Sequence, residues 1–333
     1  MKPSLRSLTL PASLVLGCAC ATVNPPPGSS HEAQTATSLS LSPADLSSEI
    51  SLDPRLVHTV TEVGFKKPEA ILYSRALDIY LVSNVYGDPS DADGNGFISK
   101  LSPEGQIIDL KWIDGSKDGI SLSAPKGMAI SGDNLYVADI TEIRRFNLNT
   151  GAPLASIIVP NATFLNGLCA DAQGTVYFSD TGDRTPNRPP GPASAGAVYR
   201  IEKDGVTIHQ LRRGGPLGHP NGLVSTGDRL WSVNLSGDFF EVDHNGVVSN
   251  ITTLPAGALD GLVSLDDGSF LISSWKASGI YRGRPGEKFR LFLADLQAPA
   301  SIGYDPTRDR LLVPKMMTDE VLIYQLAPVP VQK

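Results

Sequence analysis

Six positions in this 333-residue chain recur in a pattern that could do chemistry: Glu69, Lys126, Asn166, Asn221, Asp260 and Ala300. Each precedes a small residue and then a short alternating apolar segment. Four of the six offer a side-chain oxygen, and two of those four are carboxylates. Carboxylate and amide oxygens are hard ligands, suited to calcium, magnesium or manganese rather than zinc. Asn-Gly and Asp-Gly are also common turn dipeptides, and any one of them alone reads as a turn. Here the polar residue holds one register in four copies, which favours convergence on a metal or a substrate. Lys126 stands in the same register. An ammonium there would repel a cation, pair with Glu69 or Asp260, or snorkel out of the ring.

The segments that must position these residues form an internal repeat. Pro125-Lys126-Gly127-Met128 leads to Leu135–Asp139, and Leu165-Asn166-Gly167-Leu168 leads to Val176–Asp180. Pro220-Asn221-Gly222-Leu223 leads to Leu230–Asn234, and Leu259-Asp260-Gly261-Leu262 leads to Phe270–Ser274. Weaker copies start at Pro68 and Pro299. The six key positions are separated by 57, 40, 55, 39 and 40 residues. A base period near 40, lengthened twice, fits four-stranded propeller blades. Helical periodicity is absent and the turns are rich in Gly, Asp and Asn. The expected fold is therefore all-β, a six-bladed β-propeller over residues 56–328. Its last repeat ends on a third strand, Glu320–Tyr324, so a strand from elsewhere must cover the open edge. His58–Val63 alternates correctly and is expected to close that blade.

Inner strands line a propeller's axis, so the six positions should meet at one tunnel mouth. Two long inserts, Asp88–Gly96 and Arg184–Pro192, are expected to overhang the same mouth. Asp91, Asp93, Asn95 and Gly96 partly match a calcium-binding loop, but Ser102 stands where its Glu should be, and a tight polar turn is the competing reading. His219, Asp180, Trp275 and Lys315 are candidate pocket residues on this face. Solvation of a loop explains His219 better, and capping of strand ends explains the other three equally well. Cys169 is expected to be a small buried side chain without a disulfide partner.

The first residues carry Lys2 and Arg6, a short apolar run, and then Leu14-Val15-Leu16-Gly17-Cys18. That order reads as an export signal over residues 1–20, with Cys18 as a lipidation site. Cleavage after Ala19-Cys20-Ala21 is the alternative. Residues 21–55 are rich in Pro, Ser, Thr and Ala and read as a disordered tether. Export to a bacterial periplasm or outer membrane follows, with membrane contact only through the lipid. The formal charge of −7 excludes a nucleic-acid-binding footprint. A monomer with a small-molecule substrate or ligand is expected.

Over roughly residues 60–326 the chain resembles the senescence marker protein (regucalcin)/gluconolactonase family. Pro220-Asn221-Gly222-Leu223 and Leu259-Asp260-Gly261-Leu262 carry the resemblance best. It implies one catalytic divalent cation, foremost calcium, held by Glu69, Asn166, Asn221 and Asp260. It also implies that Asp260 helps to activate water or acts as base, and that the reaction is hydrolysis of a lactone or related ester. Three features depart from the family pattern. Ala70-Ile71 follows Glu69 in place of Gly-Pro, Gly167 follows Asn166 in place of Asp, and Lys126 has no counterpart. Lys126 is accordingly a second candidate catalytic residue. A non-catalytic propeller that binds a ligand or protein in the cell envelope is the rival reading.

Overall fold

The computed structural model describes residues 54–182 and 196–326. The export signal, Cys18, residues 21–53 of the tether and the Arg184–Pro192 insert lie outside the described residues, and Arg55, placed in the tether by its composition, already belongs to the first strand. Among those residues the structure is strand and turn, with one 3-10 turn at Gly215–Leu217, and no helix is long and apolar enough to cross a membrane.

Strand β1 (Arg55–Val60) is followed by six consecutive blades. Blade one contains β2 (Pro68–Ser74), β3 (Ile79–Asn84), β4 (Phe97–Leu101) and β5 (Ile107–Asp114). Blade two contains β6 (Pro125–Ser131), β7 (Asn134–Asp139), β8 (Glu142–Asn147) and β9 (Pro153–Ile158). Blade three contains β10 (Leu165–Ala170), β11 (Val176–Asp180), β12 (Ala197–Ile201) and β13 (Ile208–Arg213). Blade four contains β14 (Pro220–Thr226), β15 (Arg229–Asn234), β16 (Asp238–Val242) and β17 (Val248–Thr253). Blade five contains β18 (Leu259–Ser264), β19 (Phe270–Ser274), β20 (Gly279–Gly283) and β21 (Arg290–Leu293). Blade six contains β22 (Gly303–Asp305), β23 (Arg310–Lys315) and β24 (Glu320–Gln325), and β1 completes it. All pairings within the blades are antiparallel, as a four-stranded meander requires.

The ring closes through β1, as expected, but the strand is Arg55–Val60 rather than His58–Val63. His58 pairs with Ile323 and Val60 with Val321. Period-two alternation runs through both segments and could not fix where the strand stops. The backbone fixes it: Glu62 and Gly64 take φ of 56° and 102°, which ends the extended run. Charged groups reinforce the seam between the last and first blades. The Arg308 guanidinium bridges Asp78 (2.6 Å) and Asp305 (3.1 Å), and the Tyr80 hydroxyl donates to Asp305 at 2.8 Å.

The core lies between blades rather than at one centre. Where blade four meets blade five, Trp231 stacks on Phe239 with ring centroids 4.9 Å apart, and Phe270 and Phe289 fill the remaining space. Each such buried aromatic side chain contributes on the order of 2–3 kcal/mol through burial.

Candidate functional site

Every blade from one to five begins its inner strand with a bulge, and the bulge falls on the repeat position. The pairing slips between Pro68 and Ala70, Pro125 and Met128, Leu165 and Leu168, Pro220 and Leu223, and Leu259 and Leu262. A bulge re-aims one side chain out of the regular pleat. The re-aimed residues are Glu69, Lys126, Asn166, Asn221 and Asp260, and all five are buried.

The glycines after four of these residues serve inter-blade packing. None of Gly127, Gly167, Gly222 and Gly261 has a positive φ, so the turn reading of their dipeptides does not hold. A Cβ on Gly127 would lie 2.4 Å from the Asn166 carbonyl oxygen, and one on Gly167 would lie 2.3 Å from that of Asn221. On Gly222 it would meet the Asp260 carbonyl oxygen at 2.3 Å, and on Gly261 the Ile302 nitrogen at 2.3 Å. Only glycine lets neighbouring inner strands approach this closely.

Serines on the second strands fix the bulges in place. Ser179 accepts the Gly167 N–H (2.9 Å) and donates to the Asn221 carbonyl (2.7 Å). Ser273 accepts the Gly261 N–H (2.6 Å) and donates to the Ala300 carbonyl (2.8 Å). Ser83 accepts the Ala70 N–H at 2.9 Å. The repeat alignment passes over these serines because they look like ordinary strand residues. Their signal is position: each stands one residue before the polar strand end at Asn84, Asp180 or Ser274.

Two cavities occupy the axis. The larger, about 320 Å³, lies along the far halves of the inner strands and is lined largely by apolar groups such as Met128, Leu168, Leu223 and Ile302. Cys169 is on its wall, half-buried rather than fully buried, with its thiol pKa raised by burial. The smaller cavity, about 200 Å³, carries the polar ring: Glu69, Lys126, Asn166, Asn221 and Asp260 line it together with Val85, Phe164, Leu235, Trp275 and Met316. The chemistry belongs to this smaller cavity, where charged and amide groups converge among apolar walls.

Within the ring the contacts are specific. Trp275 donates its indole N–H to Asp260 Oδ2 at 2.8 Å. Asn166 donates its amide N–H to Thr181 Oγ1 at 3.2 Å, and Asn221 donates to the Leu259 carbonyl at 3.4 Å. With both amide nitrogens tied to the wall, the amide oxygens are left as acceptors. Glu69 Oε2 is buried and has no hydrogen-bond partner. Burial first, and then the Asp260 carboxylate, push the Glu69 carboxyl well above the usual range, while the Lys126 ammonium opposes them. Burial lowers Lys126 to about 8, against the pull of Glu69, Asp139 and Asp88. Lys126 Nζ donates to the carbonyls of Pro89 (2.9 Å) and Ala124 (3.1 Å) and sits 4.3 Å from the Phe164 ring centroid. It does not snorkel, being 2% exposed. The Pro89 contact also places the Asp88–Gly96 insert over the cavity.

Other candidates fall elsewhere. Asp180 caps a loop: its carboxylate accepts the N–H groups of Thr163, Phe164 and Gly182. Lys315 pairs with Glu320 at 2.6 Å and does not line the cavity. The His219 Nδ1–H donates to the Thr181 carbonyl at 2.8 Å, which puts the ring beside the site rather than in its lining. In the Asp88–Gly96 insert, Asn95 donates to Asp93 at 2.6 Å and Ser90 N–H bonds Asp88, so these side chains build a polar turn.

The donor set fits a hard divalent cation. Two carboxylates and two amide oxygens converge, and one buried carboxylate oxygen lacks any proton donor. Among the described residues no cluster of three His, Cys, Asp or Glu exists, so a cation here would depend on the asparagines.

The fold and ring define a six-bladed propeller with a polar axial site. The chain shares this fold with a gluconolactonase from Xanthomonas campestris, at 18% identity and TM-score 0.62, covering 82% of this chain and 94% of that one. Virginiamycin B lyase from Staphylococcus aureus is similar at 14% identity and TM-score 0.56, covering 80% and 98%. A chain of a nidogen/laminin complex is similar at 14% identity and TM-score 0.52, covering 66% and 76%. No protein-family model and no curated protein matches the chain.

Proposed function

We propose that the chain is a metal-dependent hydrolase of a lactone or related ester. The observation that supports this most is Glu69: a buried carboxylate oxygen without a partner, in the field of a second carboxylate, at a cavity where two amide oxygens also converge. Glu69, Asn166, Asn221 and Asp260 would hold the cation, with calcium favoured and magnesium or manganese also suited. When bound, the cation supplies Lewis-acid polarisation of the substrate carbonyl.

The chain's own residues do the rest. The indole of Trp275 fixes Asp260, which orients a water on the carbonyl carbon and takes its proton as the new C–O bond forms. The same carboxyl returns that proton to the departing alkoxide as the ester C–O bond breaks. Lys126, held by Pro89 and Ala124, adds its positive charge to the field that stabilises the developing oxyanion. Phe164, Leu235 and Met316 keep bulk water from the site. On the same reading, Cys18 is acylated after export and the domain works as a monomer on its tether. Loss of membrane fractionation in Cys18→Ser tests that part.

The main test is metal content after purification without chelator, followed by a panel of lactones and esters. A metal-free protein with no turnover and no thermal shift in calcium, magnesium or manganese would sink this reading. The second reading, a non-catalytic binding propeller, is favoured by Lys126, a cation where the resembled enzymes have none. Tight ligand binding without turnover would support it.

A further inference from the structure

We infer that Lys126 determines specificity by receiving a carboxylate on the substrate, separate from the carbonyl under attack. This rests on the metal-dependent reading above and narrows its substrate class to anionic lactones or esters.

The argument starts from the donors. An ammonium has three N–H groups. Two of them end on the carbonyls of Pro89 and Ala124, and among the described residues no third acceptor is bonded. The side chain lines the cavity, so a ligand there can meet the remaining N–H. The charges point the same way. Within the ring a divalent cation would be offset by Glu69 and Asp260, and Lys126 adds a further positive charge beside them. Glu69, Asp139 and Asp88 act on Lys126 through space, but its direct contacts are carbonyl dipoles and the Phe164 face, and Asp139 is already paired with Arg144. The walls around it include Val85, Leu235 and Met316, and an uncompensated charge in such surroundings is costly. A ligand carboxylate supplies both the missing acceptor and the missing charge. A polyhydroxylated neutral ligand supplies only acceptors, and it would bury several hydroxyls against apolar side chains.

Benzoate and benzamide make a suitable pair of probes because they share size and shape and differ in charge. Binding is measured by calorimetry to full-length protein in saturating calcium. Wild type is expected to bind benzoate about ten-fold or more tightly than benzamide. Lys126→Met is expected to lose that preference while its benzamide affinity holds, with Lys126→Gln in its place if the methionine variant is not folded by thermal unfolding. Equal affinities in wild type overturn the inference without any variant. A preference that survives in the folded variant also overturns it, because the cation alone would then select the anion. The two readings fail separately. A benzoate preference without turnover of any lactone or ester removes the hydrolase, whereas turnover without the preference removes only the role of Lys126.

Discussion

Asp260 lies on β18 and Trp275 directly follows β19 of the same blade, and the indole N–H of Trp275 donates to Asp260 Oδ2 at 2.8 Å. The bond helps to set the plane of that carboxylate. Trp275→Phe keeps the ring and removes the donor. Calcium affinity or turnover should fall by about 10–100-fold, as for other groups that orient a ligand. Unchanged calorimetric affinity and unchanged rate would leave the indole a purely packing role.

The ring residues should rank by charge. Asp260→Ala removes a ligand and a negative charge and should abolish calcium-dependent thermal stabilisation. Asn221→Ala removes a neutral oxygen and should weaken binding by about ten-fold. A calcium titration followed by thermal unfolding gives both values, and the reverse order would speak against Asp260 as a ligand.

Lys126→Ala distinguishes the two proposed functions. In the enzyme, metal affinity should hold or rise while turnover falls, since a repulsive charge is gone. In a metal-free binding propeller, Glu69 and Asp260 lose their nearby cation, so the variant should melt earlier and added calcium should restore it.

The pH dependence follows from Glu69. Its folded pKa is raised above the unfolded value, so the folded state holds the proton more tightly. Metal-free stability should therefore be highest below the unfolded pKa and decline as pH rises through the folded one. Calcium must displace that proton, so its affinity should increase with pH over the same window. Glu69→Gln should flatten the stability slope. Lys126 acts separately and later: its folded pKa of about 8 lies below the ordinary lysine value of 10.5, so stability should recover as pH rises between those values. Thermal unfolding across pH, with and without calcium, reads both limbs.

Closure makes a simple truncation experiment. A chain starting at residue 54 keeps β1 and should stay folded and soluble. A chain starting at residue 62 exposes the edge of β24 and should aggregate. Equal melting temperatures would mean that blade six does not need its outer strand.

Much of this architecture was legible because the repeat is written in side chains. The register of Glu69, Lys126, Asn166, Asn221, Asp260 and Ala300 survives as a sequence period, and blades one to five begin where that period says, whereas the inner strand of blade six starts at Gly303, three residues after Ala300. The ends of β1 were not legible, because alternation has no endpoint and the positive φ of Glu62 leaves no mark on an ordinary residue. The roles of Asp180 and Trp275 were equally hidden. Both terminate or follow a second strand beside the mouth, yet one turns back to cap a loop and the other turns inward to Asp260. That difference depends on loop backbones at Thr163–Phe164 and Ala258, which no local pattern encodes. Asn-Gly and Asp-Gly looked like turns because their glycines answer to a neighbouring blade that sequence reading cannot see.

Those glycines also separate two kinds of inheritance. The diameter of the tunnel is set by backbone contacts at Gly127, Gly167, Gly222 and Gly261, where a single methyl group would force adjacent strands apart. The side chain just before each glycine projects into the axial cavity, and only its backbone takes part in that fit. A propeller built this way can exchange its axial side chains one at a time, carboxylate for amide or amide for ammonium, while its bore stays constant. Lys126 in a ring of oxygen donors shows that the same backbone frame carries an ammonium as readily as an amide: a different reagent in an unchanged vessel.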